Sequence, residues 1–307
     1  MPLAELYRRQ ADLLVRTIPL VAPEASFALK GGTAINLFVR DMPRLSVDID
    51  LTYLPIADRA TSLRGIDAGM RRIGERIAAG MVGVRVHPST LQGENCVTKL
   101  MVNIDEAQIK IEVTPVLRGC VYQPATRSVS ARVEDQFGFA EMQLVSFADL
   151  YAGKIVAALD RQHPRDLFDV RDLLAAEGIG DELRKAFLIY LVSHNRPMAE
   201  VLAPERLDIS AEFARGFAGM TERPVTIEEL LKAREELINN VVGQMPTEHR
   251  RFLMSVKRGE PNWALLGLPD AETLPAVRWR LENLAKLTDG KRAKLLRGLG
   301  EVLGIRD

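Results

Sequence analysis

Leu45-Ser-Val-Asp-Ile-Asp-Leu-Thr-Tyr53 is the stretch from which the fold can be read. Apolar residues alternate around Asp48 and Asp50, which predicts a buried or half-buried strand over roughly residues 47–54. Side chains at i and i+2 of a strand share a face, so the two carboxylates project together while Val47, Ile49 and Leu51 take the other side. Two like charges so close repel unless a cation lies between them. Mg²⁺ or Mn²⁺ would resolve that conflict, because a hard ion takes carboxylate oxygens and shares its shell with phosphates. The pair therefore points to metal-assisted phosphoryl or nucleotidyl transfer.

The residues just upstream fit the same chemistry. A short strand over 27–30 leads into Gly31-Gly32-Thr33 and a helical stretch over 34–39. Glycines at a helix start let the backbone approach a phosphate, the exposed amides favour negative charge, and Thr33 adds a hydroxyl. Taken alone, such a turn is often a plain connection. The following loop, residues 40–46, brings Arg44 and Ser46 towards the aspartates. Downstream, residues 82–87, 96–104 and 109–114 alternate and predict three more strands of a mixed or antiparallel sheet. Glu112 lies on the last of these, on one face with Lys110 and Thr114. It is either a third carboxylate for metal ions or an exposed acid on a solvated sheet face.

From Ser146 onward the period becomes helical, with helices predicted near 147–160, 164–176, 180–193, 226–242, 246–258 and 274–303, and an irregular stretch at 196–225. The expected architecture is α+β. Residues 1–145 form a mixed-sheet domain with flanking helices, and residues 146–307 form an α-helical domain. The boundary would move to about 178 if the first helices pack on the sheet. Ser146-Phe-Ala-Asp149 reads as a capping box, which gives Asp149 a structural task. Lys154 falls within the apolar stripe of its helix, where a lysine needs a partner or an anionic ligand, or must snorkel to the edge. Asp166 and Asp169 lie three apart at the start of the next helix, where acids also serve the helix dipole and Arg165 is placed to pair with Asp169. His163 reads as a cap rather than a base.

The bulk composition sets limits. The 41 basic and 41 acidic residues cancel, so polyanion binding must use a local patch. One such patch is terminal: Arg278, Arg280, Lys286, Lys291, Arg292, Lys294 and Arg297. Cys96 and Cys120 stand apart, without metal-ligand spacing. The first ten residues resemble an amphipathic helix rather than a leader, and no apolar run has membrane-spanning length, so a cytoplasmic protein without a membrane partner is expected.

Taken together, Lys30-Gly-Gly-Thr33, Asp48-Ile-Asp50, Asp149-Leu-Tyr-Ala-Gly-Lys154 and Arg165-Asp-Leu-Phe-Asp169 resemble, in order, the four motifs of the AbiEii/AbiGii-type nucleotidyltransferase toxins of toxin–antitoxin and phage-abortive-infection systems. Residues 252–263 and 274–280 are similar to that family's C-terminal pattern. The resemblance implies a nucleotidyltransferase-like sheet domain followed by helices. It implies that Asp48 and Asp50 bind Mg²⁺ or Mn²⁺, that Lys154 contacts the phosphates of an NTP, and that Asp166 and Asp169 complete the site, with Asp169 the better catalytic candidate. It further implies transfer of NMP to an RNA hydroxyl, in some members the tRNA 3′ acceptor end, and a cognate antitoxin. Two alternatives stay open: transfer to a small-molecule or protein hydroxyl, and a nucleotide-binding interaction protein without turnover.

Overall fold

The computed structural model describes residues 3–305, so Met1 and Pro2 of the expected amphipathic start lie outside the described residues. The chain divides into two compact units, Met1–Ser146 with Gly219–Pro224, and Phe147–Ala218 with Val225–Asp307. The sequence reading contains a single junction; the return of 219–224 to the first unit is a finding of the structure.

The first unit is a seven-stranded mixed sheet with helices packed on it. Helix α1 (Leu3–Val21) buries Ala11, Leu14, Ile18 and Val21 at three- and four-residue spacing, the period that puts them on one face. After it the chain turns at Glu24. That carboxylate accepts bonds from Arg72 at 2.9 and 2.7 Å and from Arg76 at 2.9 Å, tying the turn to α3 (Arg59–Gly80). Asp58 caps α3 by accepting from the Thr61 amide, and Leu63, Ile66, Met70, Ile73 and Ile77 form its buried stripe.

The strands are β1 (Phe27–Lys30), β2 (Asp48–Tyr53), β3 (Arg85–Thr90), β4 (Val97–Ile104), β5 (Ala107–Val113), β6 (Ala125–Ser128) and β7 (Glu141–Leu144). Their order is β3-β4-β5-β2-β1-β7-β6. β2 runs antiparallel to β1 and parallel to β5, which puts the aspartate strand in the middle of the sheet. Between β1 and β2 stands α2 (Gly31–Thr33), continued as a π-helical segment over Ala34–Val39. Gly31-Gly32-Thr33 is therefore the first turn of the helix rather than a loop before it. The edge hairpin β6–β7 and the intervening α4 (Ala131–Phe137) are absent from the sequence reading.

The second unit is helical: α5 (Phe147–Asp160), α6 (Pro164–Ala176), α7 (Asp181–Ser193), α8 (Met198–Leu202), α9 (Ser210–Gly216), α10 (Ile227–Ile238), α11 (Thr247–Arg258), α12 (Pro275–Ala285) and α13 (Asp289–Leu303). The strongly apolar α5 packs against both α6 and α7. The stretch expected to be irregular holds α8 and α9. The single helix expected over 274–303 is two, because Thr288 takes extended backbone (φ −66°, ψ 152°) as the N-cap of α13, with Asp289 in its first turn.

Candidate active site

On the sheet, the register lines up a row of charges. Lys30 on β1 stands opposite Asp50 on β2, Asp50 beside Glu112 on β5, and Glu112 opposite Lys99 on β4. Residues paired in register point to the same face. The row therefore reads plus, minus, minus, plus across four neighbouring strands, and Asp48 lies in the next row beside Lys110. Behind it, Ile49, Leu51, Ile111 and Val113 are buried, as the alternation requires.

The lysines hold this face together electrostatically. Lys110 Nζ is 2.8 Å from a Glu112 carboxylate oxygen and 3.9 Å from Asp48, and Lys99 Nζ is 3.7 Å from Glu112. Burial pushes the Glu112 carboxyl up, but Lys110 and Lys99 outweigh it and hold the group below its ordinary value. Burial likewise disfavours the Lys110 ammonium, yet Glu112, Asp48 and Asp50 leave its pKa raised. At Lys30 the balance is reversed: burial lowers its pKa against the pull of Asp50 and Glu112. Lys30 is absent from the residues proposed for the site on sequence, although it precedes the glycines directly.

The helix turn next to the row is fitted closely to it. Gly31 has φ +78°, and a methyl group on its Cα would lie 2.6 Å from Asp50 Oδ2, closer than any real contact. Only glycine takes this left-handed backbone without cost and admits the carboxylate so near. A methyl group at Gly32 would lie 2.8 Å from Arg44 Nη2 and 2.9 Å from Ser46 Oγ, so both side chains close over that residue. Arg44 is buried, and its own segment is held by residues 219–224: Leu45 donates to Met220 O at 3.0 Å, and Glu222 donates to Pro43 O at 3.1 Å. Thr33 has a task the sequence reading did not give it. Fully buried, its hydroxyl donates to the Asp48 carbonyl oxygen and shares a hydrogen bond with Ser46 Oγ at 3.1 Å. It fixes the start of the aspartate strand rather than offering its hydroxyl outward.

The oxygen donors of Asp48 and Asp50 suit a hard divalent cation completed by water and substrate oxygens. Among the described residues, no group of three or more His, Cys, Asp or Glu side chains is arranged to hold a metal ion. Glu112, expected as a third carboxylate, stands beside Asp50 but turns its oxygens to Lys110 and Lys99.

Lys154, Asp166 and Asp169 come together in the helical unit. Lys154 Nζ lies 2.7 Å from Asp166 Oδ1 and 3.0 Å from Asp169 Oδ2, and all three side chains are at most 7% exposed. Arg161, which sequence reasoning missed, adds two bonds to Asp166, at 2.6 and 3.1 Å. Burial alone would raise the Asp166 carboxyl; Lys154 and Arg161 instead hold it far below the usual carboxylate range. Asp166 and Asp169 are thus buried counter-charges, and the partner that a lysine in an apolar stripe demands is this pair. His163 is the cap of α6, its Nδ1 accepting from the Arg165 amide at 3.1 Å. Asp149 is buried and accepts a bond from the Tyr190 hydroxyl at 3.2 Å.

Residues 12–283 match the family of nucleotidyl transferase AbiEii toxins of type IV toxin–antitoxin systems. The chain belongs to the AbiEii family. It is accordingly a nucleotidyltransferase toxin, which takes an NTP as substrate and belongs with an antitoxin. The structure is also similar to that of MenT4, a nucleotidyltransferase toxin from Mycobacterium tuberculosis H37Rv, with a TM-score of 0.58 at 15% identity, over 97% of this chain and 92% of that one. At that identity the likeness speaks for the fold alone. No curated protein matches the chain. Among the described residues, no helix of this AbiEii member is long and apolar enough to cross a membrane.

Proposed function

We propose that this AbiEii toxin transfers NMP from an NTP to an RNA hydroxyl, the tRNA 3′ acceptor end, in a reaction that depends on Mg²⁺ or Mn²⁺, and so blocks translation and growth in the cytoplasm. The observation that carries the reading is the charge row, with Asp48 and Asp50 on one face and the Gly31 backbone against Asp50. Asp48 and Asp50 would hold the cation, which supplies charge neutralisation at the phosphates and an activated acceptor hydroxyl. The hydroxyl attacks the α-phosphorus, and pyrophosphate leaves. Gly31 and Gly32 would lie under the phosphates, with Arg44 and Ser46 as side-chain donors above Gly32 and Thr33 holding the strand that carries Asp48. Lys30 and Lys110, already beside the carboxylates, would keep the face from repelling a triphosphate. In the helical unit, Lys154 is the proposed phosphate contact and Asp169 the catalytic carboxylate, with Asp166 fixing the lysine.

The test is transfer of label from α-labelled NTPs to total tRNA, with Mg²⁺ or Mn²⁺ and with chelator, by the wild type, Asp48→Asn and Lys154→Met. Label on tRNA 3′ ends that both substitutions reduce at least about 10³-fold is the expected result. Label on protein or metabolites with RNA unlabelled would replace the acceptor; binding of NTP without any transfer would overturn the reading.

A further inference from the structure

The helical unit contains a buried cation that the proposed reaction leaves unused. Lys257 lies in the last turn of α11 and is 2% exposed. Among the described residues, no carboxylate pairs with it. The charged neighbour that acts on it is another cation, Arg280 of α12, and burial together with Arg280 pushes its pKa down to about 8. Arg280 is half-buried. Its guanidinium donates to Asn195 O at 3.3 Å and Arg196 O at 3.1 Å, just beyond α7, which sets one edge of its fork. Asp160, which faces His194 and Arg196 at the end of α7, is already taken: Arg196 binds it at 2.6 Å and His194 approaches it at 3.6 Å. Arg196 also holds Glu200, at 3.5 Å.

An ammonium withdrawn from water without a counter-charge, with a half-buried guanidinium acting on it, is costly. A protein keeps such an arrangement where an anion completes it. A phosphoryl group suits the pair: the guanidinium offers a planar fork to two oxygens and the ammonium a point charge to a third. The residue before it on α12, Trp279, is 51% exposed, a ring surface on which a nucleobase can stack.

We propose that Lys257 and Arg280 form a phosphate-binding site of the helical unit that seats a backbone phosphate of the RNA acceptor. Phosphate binding itself is independent of the proposed transfer reaction; only the RNA assignment rests on it.

The full-length protein is melted in rising inorganic phosphate against chloride at matched ionic strength, beside Lys257→Met, which keeps the side chain's length and removes its charge. The wild type is expected to gain stability saturably, and Lys257→Met to start at least as stable and gain nothing beyond the chloride control. Binding of a short single-stranded RNA, measured by anisotropy without divalent ions so that transfer plays no part, should weaken about tenfold in Lys257→Met and less in Arg280→Lys, which keeps the charge and loses the fork. If affinity for NTP falls tenfold while RNA binding is unchanged, the phosphate site stands and its phosphate is the nucleotide's. An equal phosphate response in wild type and Lys257→Met overturns the proposal, even where Asp48→Asn abolishes transfer.

Discussion

Lys154→Met removes the cation between two buried carboxylates, and the structure indicates how much that should cost. Breaking a buried ion pair by taking one partner away costs about 3–5 kcal/mol, because the remaining charge stays out of water. Here Asp166 retains Arg161 through bonds of 2.6 and 3.1 Å, so one of the two carboxylates keeps a counter-charge. That argues for the lower end, about 3 kcal/mol. At an m-value of about 2 kcal/mol/M the urea midpoint falls by about 1.5 M. The two tryptophans, Trp263 and Trp279, both lie in the helical unit, so their fluorescence follows that unit's unfolding.

The pH dependence gives a second check. In the wild type, Asp166 titrates below its unfolded value, so its contribution is complete above about pH 4 and is lost as pH falls further. In the variant, the two buried carboxylates lose the ammonium that favours their charged form, so they should titrate higher than in the wild type. The penalty is then full at pH 7.5 and shrinks as pH falls through those raised values. The gap between the two proteins should narrow on going from pH 7.5 to pH 5. A midpoint shift under about 0.3 M at pH 7.5, or a gap equally wide at both pH values, would refute the buried-triad account. A large shift also means that lost activity in Lys154→Met must be measured on folded protein before Lys154 is credited with a phosphate contact.

Two further outcomes follow from the glycine turn. Gly31→Ala forces an L-residue into left-handed backbone, at about 1–2 kcal/mol, and sets a methyl group 2.6 Å from Asp50 Oδ2. Transfer should fall at least about tenfold and the half-saturating Mg²⁺ concentration should rise, because the displaced group is the proposed metal ligand; an unchanged Mg²⁺ titration would count against that role. Thr33→Val deletes the hydroxyl that binds the Asp48 carbonyl in the interior, at about 1–3 kcal/mol. Amide exchange should accelerate selectively in β2, and protection equal to that of the wild type would show that the bond does not hold the strand.

Much of this arrangement is visible in the chain itself, and the parts that are not share a cause. The alternation around Asp48 and Asp50 and the helical period after Ser146 are local signals, and β1, β2, α5 and α6 lie within a residue or so of where those signals put them. The family motifs add the identity of the reaction. What escapes is short, exposed or long-range. β6 is four exposed residues, too few and too polar to alternate. The charge row exists only once β1, β2, β5 and β4 are in register, so Lys99 carries no mark in sequence, and Lys30, although it opens the first family motif, shows there no sign of its place opposite Asp50. Arg161 meets Asp166 only because the chain reverses between α5 and α6. The break at Thr288 was legible in principle, since Thr-Asp is an ordinary helix start, but continuous helical periodicity on both sides concealed it.

The return of residues 219–224 to the sheet unit has a consequence for how the protein comes into being. A ribosome delivers the chain in order, and the strap against Pro43 and Leu45 emerges some seventy residues after the last strand, β7. Until then the segment that sets Arg44 over Gly32 has no clamp. The sheet can form early, but its corner at the glycine turn is finished late, after α5, α6 and α7 have been made. A fragment ending at Ser146 would therefore be a sheet with its corner unfastened, and a stalled or clipped chain would be left without the finished turn.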